Sequence, residues 1–256
     1  MRVRRLFQSA WIITEFELRK IRHDPTEMFL RLIQPALWLL IFGEVFARTR
    51  VLPTSSYSYL QFLTPGVMAQ SVIFIAIFYG LMLVWERDLG LLQKLLSTPA
   101  PHYTIIVGRA LAAGSRSILQ AIVIFALALI IRVKLDMSPL TVLGVIGVII
   151  LSGMCFSSLS MLLASLLKTR DRVMGLGQAI IMPLFFASSA IYPTDIMPHW
   201  LQVASHVNPL SYVVDALRAL LVTGQFGNLS LDLGVLVLTT AVLLTLASFS
   251  LSRIIR

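Results

Sequence analysis

The sequence predicts an all-α integral membrane protein with six transmembrane helices. Three observations carry that expectation: a charge-poor apolar composition, six apolar runs of spanning length, and basic residues gathered in alternate loops. Of 256 residues, 57% are hydrophobic and 13% charged, with a mean hydropathy of +0.87, whereas soluble domains run about 45–50% apolar and roughly 25% charged. No soluble domain of any size fits that balance. The net charge of +9 reads as orientation in a membrane rather than affinity for nucleic acid. The single cysteine, Cys155, lies inside an apolar run, so no intrachain disulfide is expected. The first residues are basic and amphipathic, without an apolar core and small-residue cleavage site, so they do not read as a cleavable signal peptide.

The elements follow in order within one domain. Residues 1–27 read as an amphipathic interface helix: Phe7, Trp11, Leu18 and Ile21 share a face, while Glu15, Glu17, Arg19, Lys20 and Arg22 fill much of the rest. Asp24-Pro25 ends it, because the residue before proline is biased away from helix. A span needs about 20 mostly apolar residues. Six segments qualify: Met28–Ala47, Leu63–Trp85, Ala110–Ile131, Pro139–Leu167, Val173–Ala190 and Leu231–Ser252. Gln34-Pro35 predicts a kink in the first. The fourth is long enough to tilt or project, and the short fifth contains Pro183. Residues 28–190 thus hold spans one to five, and 231–256 the sixth span and a tail.

Between them, residues 191–230 are too apolar for an exposed loop. Pro198 starts one short helix, "PHWLQVASHV"; Asn208-Pro209 caps a second that Gly224 can end. Two such helices should dip into the outer membrane as re-entrant elements or line a dimer rim, since irregular backbone at that depth must be buried in protein or face a wet cavity. Asp215 and Arg218, three apart on one face, read as a structural pair. Tyr192 and Trp200 suit the interface belt.

Loop charge sets the direction. With the N-terminus inside, the inner pieces carry seven Lys/Arg up to Arg31, three from Trp85 to Arg109, three from Lys168 to Arg172 and two at the end. The outer pieces carry Arg48, Arg50, Arg132, Lys134 and Arg218, leaving Arg116 within the third span. Both termini are therefore expected in the cytoplasm.

The residues for intramembrane catalysis are missing. His23, His102, His199 and His206 fall at expected interfaces, and no HExxH, CxxC or GxSxG occurs. Nor is there a GxxxxGK[ST] loop to cradle ATP phosphates. A secondary transporter, the alternative reading, needs ionisable groups near the midplane, whereas Arg31, Glu44 and Arg116 sit near span ends. Gln34 and Glu44 remain candidate pathway residues. Gly153, Ser157, Ser160 and Ala164 form a stripe of small residues suited to close helix packing.

One stretch, "WERDLGLLQKLLSTPAP" from Trp85 to Pro101, is too short and too charged to cross. Leu89, Leu92 and Leu96 repeat at helical spacing beside Leu91 and Leu95, over a polar base of Glu86, Arg87, Asp88 and Lys94. Pro99 and Pro101 stop the helix. It can lie on lipid, pack on its own bundle, or dock in a partner's groove.

The segment "ERDLGLLQKLLSTP" resembles the cytoplasmic coupling helix of ABC-2-type exporter permeases, and "NPLSYVVDALRALL" resembles that family's motif before the last span. "MPLFFASSAIYP", "MPHWL" and the six-span plan agree, so the likeness covers essentially the whole chain, nearest to the daunorubicin-resistance or nodulation-factor type. Leu91 and Gln93 depart from the family pattern, which usually has a small polar residue and an acid there. The resemblance implies a dimer of two permease copies, identical or related, in a bacterial inner membrane. It implies an ABC ATPase in two copies that holds ATP and Mg, with no cofactor on this chain. It assigns groove contact to Leu89, Leu92, Leu95 and Leu96, an ionic rim to Glu86, Arg87 and Lys94, close approach to Gly90, and helix termination to Pro99. The outer motif it assigns is Asn208, Pro209, Tyr212, Asp215 and Arg218. The implied activity is export of a hydrophobic, lipid-linked or drug-like substrate, without enzymatic chemistry in the chain itself.

Overall fold

The computed structural model describes residue 15 and residues 33–49, 57–91, 94, 102–167 and 169–254. The interface helix expected over 1–27 lies outside them apart from Glu15, which is helical. Among the described residues every regular element is a helix.

Helix α1 (33–49) contains a π turn, Trp38–Phe42, and continues as α-helix over Gly43–Thr49. The irregularity thus falls about one turn beyond the Gln34-Pro35 position expected to kink. Helix α2 (Tyr59–Asp88) begins about a turn before the expected span, because Ser58 and Gln61 form a capping box. The Gln61 N–H donates to Ser58 Oγ at 3.3 Å, and the Ser58 N–H to Gln61 Oε1 at 2.9 Å.

Helix α3 (His102–Ile130) starts well before Ala110. Helix α4 (Pro139–Leu166) has Ser138 as N-cap, accepting the Thr141 N–H at 3.3 Å, with proline in its first turn. Helix α5 (Arg170–Phe186) has 17 residues and ends short of the expected Ala190. A 3-10 turn, Thr194–Ile196, precedes α6 (His199–Val207) and α7 (Pro209–Arg218). A π turn, Ala219–Thr223, extends α7 until Gly224 ends it at φ 64°. Helix α8 (Leu229–Ile254) closes the chain.

Among the described residues four helices are long and apolar enough to cross a membrane: Tyr59–Asp88, Tyr103–Ile130, Pro139–Leu166 and Leu229–Ser250. The apolar stretch Ile33–Phe46 is shorter. Helix α2 is the enclosed axis, with 83% of its most apolar window buried against 17% for α8. Helix α4 packs on α2, α3 and α8, and α5 lies chiefly on α2.

The small-residue stripe explains how α4 reaches two helices at once. Gly153, Ser157, Ser160 and Ala164 are all buried. A Cβ on Gly80 would lie 2.7 Å from the Ser157 carbonyl oxygen, and one on Gly114 2.6 Å from that of Ile150. Backbones so close gain dispersion contact that larger side chains would block, which matters in lipid, where apolar surface alone gives helices little reason to associate. Ser160 Oγ adds an interhelical bond to the Ile77 carbonyl at 2.5 Å.

Candidate functional site

The expected site residues gather at the two ends of this bundle. At the Asp88 end, α2 stops because Gly90 adopts φ 71°, a left-handed conformation that favours glycine. The Gly90 N–H bonds back to the Arg87 carbonyl at 3.1 Å, and the Lys94 N–H to the Gly90 carbonyl at 3.2 Å, so the helix breaks and restarts. A Cβ on Gly90 would meet nothing within 4 Å. Within the chain its part is the turn. Leu89 is 66% exposed and Leu91 46%. Lys94 is exposed as well. Leu92, Leu95, Leu96 and Pro99 lie outside the described residues.

Two charges at the base of this segment, Glu86 and Arg87, face their own bundle. Glu86 pairs with Arg109 of α3, whose side chain is only 3% exposed. Arg87 donates from Nη1 to the Leu167 carbonyl just beyond α4, at 3.3 Å. The break at Gly90 is thereby tied to α3 and to the end of α4. Arg109 read as a loop cation in the sequence; nothing local marked Glu86 as its partner.

At the Tyr59 end, the outer motif is a clasp. Asn208 accepts the Leu210 N–H at 3.0 Å as N-cap of α7, and its Nδ2 donates to the Leu184 carbonyl of α5 at 2.6 Å. Tyr192 OH donates to the Phe186 carbonyl. These two donors satisfy carbonyls of the last turn of α5, which a helix end leaves open. Together with Pro183 inside the helix, they account for α5 stopping at Phe186. Pro209 takes the first turn of α7, and Tyr212 OH donates to the His206 carbonyl at 2.6 Å.

The expected pair is present: Arg218 Nη1 lies 3.0 Å from Asp215 Oδ1. The structure adds partners that no sequence spacing could reveal. Ser189 Oγ donates to Asp215 Oδ1 at 2.7 Å, Arg218 Nη2 donates to the Ser189 carbonyl at 2.7 Å, and the guanidinium sits 3.9 Å from the Phe62 ring centroid. One arginine thus joins α7, the turn after α5, and the start of α2. The α3–α4 loop is tied in too: Gln61 Nε2 donates to the Lys134 carbonyl at 2.8 Å, and the Asp136 N–H to that of Leu221 at 2.9 Å. Asp136 also accepts the Ser138 N–H and the Thr141 hydroxyl, which hold its carboxyl below the usual carboxylate range.

Gln34 and Glu44 are not brought together. Gln34 lines a shallow apolar groove on α1 with Leu37, Trp38 and Ile41, while Glu44 is exposed ten residues along, about 15 Å at 1.5 Å per residue. Among the described residues no group of three or more His, Cys, Asp or Glu is placed to hold a metal.

An all-helical membrane protein with a clasped end and a broken, leucine-bearing helix at the other is the class this geometry defines. A family model described as ABC-2 type transporter matches residues 8–222; the chain belongs to that family. It is 30% identical over 219 residues to a putative transport permease, ycf38, of Porphyra purpurea, covering 84% of this chain and 71% of the relative. It is 26% identical over 200 residues to the daunorubicin resistance ABC transporter permease protein DrrB1 of Streptomyces coeruleorubidus, covering 78% and 70%. The inner membrane transport permease YadH of Escherichia coli K12 is 26% identical over 195 residues, covering 73% and 72%.

Proposed function

We propose that this chain is the membrane subunit of an ATP-driven exporter, energised by a separate ATPase that docks on residues 89–96. The single observation that carries the reading is the Gly90 break, which leaves Leu89 before it and Leu91 after it exposed. Exposed leucines on a short polar-based helix suit an apolar groove in a partner. The absence of a phosphate-binding loop from the sequence gives the chain a reason to need that partner. The family membership points the same way.

In this reading six spans, with α1 as the first and α5 as the fifth, cross a bacterial inner membrane. Both termini and the Asp88 end lie on the ATPase side, as the Lys/Arg asymmetry favours. Two permease copies assemble, each engaging one ATPase that carries ATP and Mg. ATP-driven closure pushes the 89–96 segment. The Glu86–Arg109 pair and the Arg87 bond to the Leu167 carbonyl pass that displacement to α3 and α4. The clasp at the other end holds α7 on α2 and α5 while the spans tilt.

A hydrophobic, lipid-linked or drug-like substrate fits the apolar spans; the name of DrrB1 supports the drug-like member of that set. The test is co-expression with the soluble ATPase encoded nearest this chain, followed by affinity purification and transport in inside-out vesicles. Stoichiometric co-purification and uptake that requires ATP are the expected results. Uptake driven by an ion gradient without any ATPase would make the chain a secondary transporter instead.

A further inference from the structure

Charges set into the bundle are mostly matched. Glu86 pairs with Arg109, Arg218 with Asp215, and Arg116 lies 4.6 Å over the Tyr79 ring. Asp136 accepts the Ser138 N–H and the Thr141 hydroxyl, both at 2.9 Å. Asp232, in the first turn of α8, has no such company. It is 5% exposed, and among the described residues its carboxylate meets neither a hydrogen-bond donor nor a cation. With Leu236 and Thr240, each four residues further on, it lies on the buried face of the helix. A buried carboxylate without a partner is costly. Ionisable residues inside a membrane-spanning helix mostly mark the place where a substrate or ion binds.

The surroundings of Asp232 are negative. Helix α7 packs on α8, and the charge on Asp215 reaches Asp232 across that contact. Arg218 does not serve both carboxylates. Its Nη1 is taken by Asp215, its Nη2 by backbone carbonyls of Ser189 and Phe62, and its face by the Phe62 ring. Two carboxylates against one guanidinium leave one negative charge in excess, and it falls on Asp232. The N-terminus of α8 favours that charge but offers only a partial positive one. The Asp215 side chain is 44% exposed, which leaves a way in from that side.

We propose that Asp232, supported by the field of Asp215, binds the ammonium group of an amphipathic amine. An ammonium supplies the missing positive charge and donates charge-assisted hydrogen bonds to the carboxylate. A bare metal ion suits the place less. Calcium or magnesium needs about six oxygen ligands, and among the described residues no group of three or more His, Cys, Asp or Glu stands together. The apolar part of the amine has Leu231, Val237 and Leu238, exposed on the same stretch of α8, to lie along. That this amine is the exported molecule rests on the exporter reading; its binding does not.

The test is photolabelling of the full chain in lipid nanodiscs with dodecylammonium carrying a diazirine on its chain, followed by peptide mapping. Unlabelled dodecylammonium, dodecanol and sodium ion serve as competitors, and Asp232→Asn and Asp232→Glu are labelled alongside. The expected result is saturable labelling of α7 and α8 that dodecylammonium displaces and dodecanol and sodium do not. It should fall about tenfold in Asp232→Asn, as loss of one charge-assisted contact implies, and return in Asp232→Glu. Asp232→Asn keeps the shape and removes an unmatched charge, so its unfolding temperature should be no lower than that of the wild type. Equal labelling of Asp232→Asn overturns the site. So does equal displacement by dodecanol or by sodium in the wild type, a comparison that needs no variant. The assay uses no ATPase, so its failure leaves the exporter reading standing. A failed ATPase co-purification would leave the amine site in place and remove only its role in export.

Discussion

At the Tyr59 end of the bundle, Arg218, Asp215, Ser189 and Asn208 join α7 to α2 and to the end of α5. At the Asp88 end, Leu89 and Leu91 stand exposed on either side of a glycine break, and Glu86 and Arg87 beneath them bind inward. Both stretches resemble motifs of the same family, yet they differ in what they engage. The Tyr59-end motif uses most of its polar groups on the chain itself and reads as architecture, whereas one that leaves apolar side chains exposed beside a helix end reads as a surface for something else. In the proposed function that contrast becomes stability at one end and partnership at the other.

Substitutions can break that contrast, and they rank by how much each group holds together. Arg218→Ala should have the largest effect on stability, about 2–4 kcal/mol, because it opens two backbone carbonyls and the Asp215 carboxylate and removes the Phe62 contact. Thermal unfolding of the purified protein reads it. Arg218→Lys should recover only part of the loss, since an ammonium lacks the planar fork that reaches several acceptors. Asn208→Ala follows at about 1–2 kcal/mol, losing a helix cap and the bond to Leu184 together.

Asp136→Asn is smaller and depends on pH. The native carboxyl titrates below its unfolded value, so its contribution is fully present above the unfolded pKa, about 4. It is lost as pH falls through the lower folded value. The gap in unfolding temperature between wild type and Asp136→Asn should therefore be open at neutral pH and close in acid. A gap that widens in acid would reverse the assignment.

What the sequence disclosed was mostly local. Asn208-Pro209 and Gly224 bounded α7 and its π turn because capping and left-handed glycine act within a few residues. The stripe from Gly153 to Ala164 was legible as packing because small residues at helical spacing leave little else for a helix face to do. The Asp215–Arg218 pair was visible at spacing three, but Ser189 and Phe62, which turn that pair into a clasp, are far away in the chain. Glu86 and Arg109 escaped for the same reason: each read as a surface charge until the helices were placed side by side. Asp232 was lost differently, since one carboxylate in the first turn barely lowers the average hydropathy of a span. The end of α5 at Phe186 was misjudged because the donors that close it, Asn208 and Tyr192, come later in the sequence.

The proposed docking of an ATPase depends most directly on the leucines around the Gly90 break. Leu89→Glu combined with Leu92→Glu changes residues at the Asp88 end only, and at the exposed Leu89 the stability effect should stay within about 0.5 kcal/mol. Co-purification of the partner ATPase with this variant is the decisive measurement. The expected result is a folded permease that no longer retains the ATPase and no longer supports ATP-dependent transport. A folded variant that keeps both would contradict it.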